Sequence, residues 1–211
     1  MKRGGIRVLL LIFVLPLAFG FQFVSLGGSH KLDAVAVATC PDDAGRGGAT
    51  AAILSATRGG NGCVVFEVDG DMTTYVYTGA VQTWTVPTGV TSVRVHLIGA
   101  GGGGGRSGTS AYGGGGGYAT GVLGVAAGQI FDVIVGQGGI RQCTGDVPPL
   151  ANEVARRNFA YGGGASGNGS ASYDCSFAAG GGRSAIRTGG GSSDLITAGG
   201  GGGGGYTGAG G

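Results

Sequence analysis

The chain has 211 residues, 54 of them glycine, with a formal net charge of +2 and only 11% charged residues. So small a charge places no global electrostatic demand for nucleic acid or an anionic membrane. The mean hydropathy of +0.27 opposes the disorder that this much glycine would otherwise imply, because disordered chains combine low hydropathy with high net charge.

Met1–Arg7 carries Lys2, Arg3 and Arg7, and Val8–Phe19 is almost wholly apolar. This is the charged and apolar order of a secretory signal, with Ala18-Phe19-Gly20 offering small residues for cleavage and Ala36-Val37-Ala38 a second candidate. The expectation is a signal peptide over residues 1–20, or a signal anchor reaching about residue 26. Either places the rest of the chain at the cell surface or outside the cell. Without the three leader charges the remainder carries one net negative charge, which removes the case for a basic binding protein. Residues 27–62 read as a partly ordered leader, with a short helix expected over Ala49–Thr57.

A glycine-rich β domain is expected over 63–211. Cys63–Val68 and Thr73–Tyr77 flank Asp69-Gly70, the strongest short hairpin signal. Val81–Val86 follows, with Trp84 and Val86 on one face, and Pro87-Thr88-Gly89 supplies a turn. Ser92–Ile98 alternates: Val93, Val95 and Leu97 face one way, Arg94 and His96 the other, so His96 is expected at the surface. Tyr118–Val125 and Ile130–Val135 read as a hairpin around Ala126–Gln129. Cys143–Cys175 spans an irregular insertion, and Gly180–Thr188 and Ser192–Ala198 precede the last glycine run. The chain stops at Gly211 in mid-tract, which reads as a C-terminal truncation.

Four cysteines behind an export signal point to disulfides. Three connectivities exist; the neighbour pairing Cys40–Cys63 and Cys143–Cys175 is the one expected. No Cys or His spacing fits zinc.

Apolar strands repeatedly run into glycine: Ile98 into Gly99–Gly105, Val135 into Gly136–Gly139, Ala198 into Gly199–Gly205. Glycine loses the most entropy on ordering and brings no side chain to bury. The tracts can order only if their backbones satisfy one another, as extended threefold helices lying side by side. Flexible linkers are the other reading, and the physics alone leaves both open.

The stretches YTGAVQTWTVPTGVTSVRVHLIGAGGGGG, GGGGGYATGVLGVAAGQIFDVIVGQGG, YGGGASGNG, GGGRSAIRT and SSDLITAGGGGGGG resemble the glycine-rich extracellular domain of the anaplastic lymphoma kinase and leukocyte tyrosine kinase receptors. The likeness covers about Tyr75–Gly211. It implies an all-β, jelly-roll-like sandwich with inserted polyglycine II-like helices, and a part in recognising protein ligands. The function expected of this chain is a binding or structural module for an extracellular protein or glycan. Two further readings are an ectodomain piece of a larger receptor and a structural wall protein or adhesin.

The remaining motifs are weak. Gly99–Gly104 satisfies G-x-G-x-x-G after a strand, but no helix opens there to hold a pyrophosphate. The Arg-Gly-Gly triplets at Arg3, Arg46 and Arg58 are scattered, which does not favour RNA. Asp69-Gly70-Asp71 lacks the other ligands of a calcium loop. His30 and His96 are far apart, Gly164-Ala165-Ser166-Gly167 lies in a glycine-rich loop, and Asn168-Gly169-Ser170 is a glycosylation sequon. The expectation is therefore no catalytic residue, cofactor or metal, no nucleic acid, and a membrane link only through an N-terminal anchor or a segment beyond Gly211.

Overall fold

The computed structural model describes residues 39–48, 58–105, 112–140, 159–165, 178–205 and 210–211. The targeting segment, His30, the Ala49–Thr57 helix, the Cys143–Cys175 pair, Ser166 and the Asn168 sequon lie outside them. The order is β1 (Cys63–Val68), β2 (Asp71–Val76), β3 (Gln82–Thr85), β4 (Ser92–Ile98), β5 (Tyr118–Gly124), β6 (Ile130–Ile134), β7 (Phe159–Ala160), β8 (Gly164–Ala165), β9 (Ser184–Thr188) and β10 (Asp194–Ala198).

β1 and β2 form the expected antiparallel hairpin, with Val68 opposite Asp71. Its two turn residues both take positive φ, Asp69 at 51° and Gly70 at 90°. That is the twist a two-residue loop needs to match right-handed strands, and it accounts for the Asp-Gly pair without calcium.

The strands make two four-stranded antiparallel sheets, β2-β1-β4-β5 and β10-β9-β6-β3, while β7 and β8 pair with each other. One apolar cluster joins the two large sheets. Val64, Phe66, Val93, Val95 and Leu97 come from the first, and Trp84, Phe131, Val133, Ile186 and Ala198 from the second. Burying each such side chain contributes about 2 kcal/mol. Phe66 stacks on Trp84 across the core at a centroid distance of 4.2 Å, and Trp84 lies 5.9 Å from Phe131. The alternation in β4 and β6 thus selects the inner face as expected.

Two expectations are corrected. Tyr118–Val125 and Ile130–Val135 are not a hairpin: β5 pairs with β4, and β6 with β3 and β9. The Ala126–Gln129 turn instead bonds Val86, whose N–H donates to Gln129 O at 2.9 Å and whose carbonyl accepts from Gly128 at 2.9 Å. The turn therefore carries the chain between sheets, which sets Leu123 and Phe131 on opposite sides of the core. His96 is not a surface residue but only 3% exposed. Its ring is held between Tyr118 of β5 and Glu67 of β1, so a strand face that reads as wet from alternation is closed by side chains of the two neighbouring strands; on the same sheet Cys40, tied to Cys63 by a disulfide, packs with Val65 and Ile98.

Candidate functional site

Six strand ends lie where glycine begins. β4, β6 and β10 run out into tracts 99–105, 136–140 and 199–205; β1, β5 and β9 are entered from tracts 58–62, 112–117 and 178–183. The backbones of these tracts hydrogen bond mainly to one another, not within themselves.

The partners change with a period of three. In tract 99–105, Gly99 and Gly102 donate to Gly117 and Gly114 at 2.8 and 2.9 Å. Ala100 and Gly103 donate to Gly182 and Ala179 at 2.9 and 3.0 Å, and Gly101 donates to Gly60 at 2.9 Å. The same tract accepts from Gly201 and Gly204, from Gly139, and from Gly48. It therefore has six neighbours, three receiving its N–H groups and three donating to its carbonyls. In tract 112–117, Gly113 and Gly116 donate to Gly48 and Gly45, while Gly114 and Gly117 donate to Gly202 and Gly199.

Only glycine permits this spacing. A Cβ on Gly102 would sit 1.9 Å from Gly202 O, one on Gly99 1.9 Å from Gly199 O, and one on Gly138 1.7 Å from Gly59 O. The requirement is close approach rather than positive φ. The same packing answers the G-x-G-x-x-G motif: the Gly99–Gly103 amides that a phosphate would need are already donated to neighbouring backbone.

Side chains tie the block to the sheets. The buried Ser184 hydroxyl donates to Ile98 O at 2.7 Å and accepts from Gly136 N–H at 3.1 Å. Asn61 Oδ1 accepts from Gly138 N–H at 2.9 Å, and Gln137 Oε1 from Tyr161 N–H at 3.1 Å. Ser184→Ala leaves the Gly136 amide buried without this acceptor, and a loss of about 2 kcal/mol is expected. Urea unfolding of the variant checks it; an unchanged midpoint would reject the joint.

Two polar clusters lie on the outer sheet faces. On the first sheet His96 Nδ1 is 2.7 Å from the Tyr118 hydroxyl, and its Nε2 is 3.2 Å from Glu67 Oε2. With its hydrogen on Nε2 the ring donates to Glu67 and accepts from Tyr118. On the second sheet Asp194 accepts from Arg183 Nε at 2.8 Å, Arg187 Nε at 2.9 Å and the Thr197 hydroxyl at 3.0 Å. Partial burial pushes the Asp194 carboxyl up, but hydrogen bonds from Arg183, Thr197 and Arg187 outweigh it and hold the group below its ordinary value. A depressed carboxylate stabilises the fold above its unfolded pKa, and this stability is lost as pH falls through the folded pKa. Asp194→Asn is therefore expected to be destabilising at pH 7, by an amount that shrinks as pH falls through the folded pKa of the wild-type carboxyl. Urea midpoints followed from neutral into acid pH check this; a constant difference would reject it.

Of the residues singled out in the sequence, the structure joins Cys40 to Cys63 with Cα atoms 6.0 Å apart. Among the described residues no group of three or more His, Cys, Asp and Glu is placed to hold a metal. The sequence reading missed the upstream Arg-Gly-Gly segments. Arg46 O accepts from Gly60 N–H at 2.7 Å, and Gly48 donates to Gly102 at 2.7 Å, so both segments form part of the block. The paired glycines following Arg46 and Arg58, set between Cys40 and Cys63, were the available signal.

Strands that run into mutually bonded glycine tracts set the context for the family comparison, which matches residues 73–211 to a family described as a glycine-rich domain. The chain belongs to that glycine-rich domain family. Its matched span begins within β2 and takes in every later tract, whereas the tracts around Gly48 and Gly60 lie upstream of it. No curated protein and no solved structure matches the glycine-rich domain chain.

Proposed function

We propose that this glycine-rich domain is a secreted or cell-surface binding module that presents a rigid, side-chain-poor block and its edge loops to an extracellular protein or glycan. The supporting observation is the six-neighbour bonding of tract 99–105, which uses its backbone for cohesion and leaves loops and outer faces for recognition. In this reading the tracts are polyglycine II-like helices in hexagonal array, since a threefold helix turns successive N–H groups toward three neighbours. The two sheets form a jelly-roll-like sandwich, with connections β2–β3, β3–β4 and β5–β6 passing from one sheet to the other. The Cys40–Cys63 disulfide fits an oxidising compartment, as does the apolar leader. Ligand recognition itself rests on the resemblance to the anaplastic lymphoma kinase and leukocyte tyrosine kinase ectodomains.

The test is saturable binding of the purified, oxidised chain to arrays of glycans and extracellular protein domains. Binding that is lost on denaturation supports the reading, and its absence on both arrays rejects it. A structural wall or adhesin role is the second reading. It is favoured by apolar side chains exposed on edge strands, namely Val76 on β2, Val122 on β5 and Leu195 on β10. Such edges template strand addition. Concentration-dependent assembly into fibres, without ligand binding, would select it.

A further inference from the structure

Arg183 stands just before β9 and Arg187 within it, four residues apart and so on one face of the strand. Both guanidiniums close on the Asp194 carboxylate, so two positive charges meet one negative. Arg183 uses its remaining donors locally. One Nη donates to Gly162 O at 2.7 Å, and the other lies 3.5 Å from Asp194 Oδ1. Arg187 does not. Its Nε is held by Asp194, but neither Nη has an acceptor among the described residues. Asp132, opposite Arg187 on β6, accepts from Gly190 N–H at 3.0 Å and forms no ion pair with Arg187. The Arg187 side chain is 23% exposed, so its outer fork reaches solvent. Bonding at Nε fixes the plane of that fork, and much of the entropy cost of ordering it is met in the fold.

Tyr161 lies within electrostatic reach of both arginines, and its ring is 6.0 Å from that of Tyr77, tilted by 57°. Burial pushes the Tyr161 hydroxyl up against the opposing pull of Arg187 and Arg183, so it stays protonated at neutral pH. β9 is an inner strand, bonded to both β6 and β10. The face therefore offers side chains and no open backbone edge to a peptide strand. A planar fork, a phenol and an aromatic ring side by side suit a small, hydroxyl-rich anion better than an extended chain.

We propose that Arg187, Tyr161 and Tyr77 form a subsite for the carboxylate of an acidic sugar, a uronate residue of an extracellular glycan. The two Nη groups of Arg187 donate in parallel to the two carboxylate oxygens. The Tyr161 hydroxyl bonds a ring hydroxyl, and the Tyr77 ring takes an apolar C–H face of the sugar. Asp194 is a positioning residue that aims the fork. The inference names a ligand class for the binding module and rests on that reading.

The probe is tetragalacturonate, titrated calorimetrically into the oxidised full chain beside its methyl ester, which keeps the rings and loses the charge. Saturable binding of the acid and none of the ester is expected. Arg187→Lys keeps the charge but loses the fork, and is expected to weaken binding about tenfold. Tyr161→Phe removes only a hydroxyl and is expected to weaken it about threefold. Arg94→Lys, on the other sheet, is expected to change nothing. Slow amide exchange at Gly102 and Gly103 confirms that each variant is folded. Equal binding of acid and ester overturns the subsite, as do equal losses in Arg187→Lys and Arg94→Lys or an unchanged Tyr161→Phe. No binding of the acid by a chain that captures neutral glycans or protein domains also overturns it, and leaves the binding module standing. No binding of the acid or of any arrayed ligand overturns both.

Discussion

Gly102→Ala is expected to destabilise the protein by about 4 kcal/mol and to lower Tm by about 10 °C. Gly199→Ala is expected to leave stability unchanged or raise it by about 0.5 kcal/mol. The two positions differ in what the new methyl meets. At Gly102 it lies 1.9 Å from Gly202 O, and both partners are backbone locked by other tracts. Neither can give way as a flexible side chain would, so tract 99–105 and tract 199–205 must separate. The separation strains Gly201→Ala100 and Gly204→Gly103, the 2.9 and 2.8 Å hydrogen bonds that join the two tracts. At Gly199 the methyl enters open space, and alanine reduces the entropy of the unfolded chain. Thermal unfolding of both variants separates a packed lattice from a flexible linker. Equal, small effects at the two positions would mean that close approach of the tracts is not what holds them.

Replacing both Cys40 and Cys63 with alanine is expected to cost about 3 kcal/mol, the loop-entropy value for a crosslink of sequence separation 23. The more telling result is local. The disulfide moors residues 39–48, which supply Gly45 and Gly48 as acceptors for Gly116 and Gly113. The adjacent Gly114 and Gly117 donate to tract 199–205 and do not depend on that segment. Amide exchange in the double variant should therefore quicken at Gly113 and Gly116 more than at Gly114 and Gly117. Uniform acceleration along the tract would mean that the mooring segment is not an independent neighbour.

The sheets were largely legible from alternation. Phe131, Val133 and Val135 show period two, and Asp69-Gly70 is a turn signal that only one backbone geometry suits. Sheet membership was not legible, because the Ala126–Gln129 turn has the composition of a hairpin loop. Only its bonds to Val86 reveal a crossing between sheets. His96 was misplaced for a related reason: strand periodicity assigns a face, but not the Tyr118 and Glu67 side chains that close over the ring from the neighbouring strands. The block was legible in outline, since glycine tracts at strand ends can order only by bonding one another. Its neighbours were not, because glycines carry no side-chain pattern from which a register can be read. The short Gly47-Gly48 and Gly59-Gly60 pairs accordingly passed as scattered Arg-Gly-Gly triplets.

Residue-resolved amide exchange on the oxidised chain tests the central claim most directly. In tract 99–105, Gly99, Ala100, Gly101, Gly102 and Gly103 each donate to a different tract or turn of it, and all five are expected to exchange slowly. In tract 199–205, Gly201, Gly202 and Gly204 are expected to be slow, and Gly199, Gly200 and Gly203, whose N–H groups have no backbone acceptor among the described residues, fast. Protection that follows this alternation is the result predicted for threefold glycine tracts bonded to successive neighbours. Exchange at the free-peptide rate throughout both tracts would contradict it.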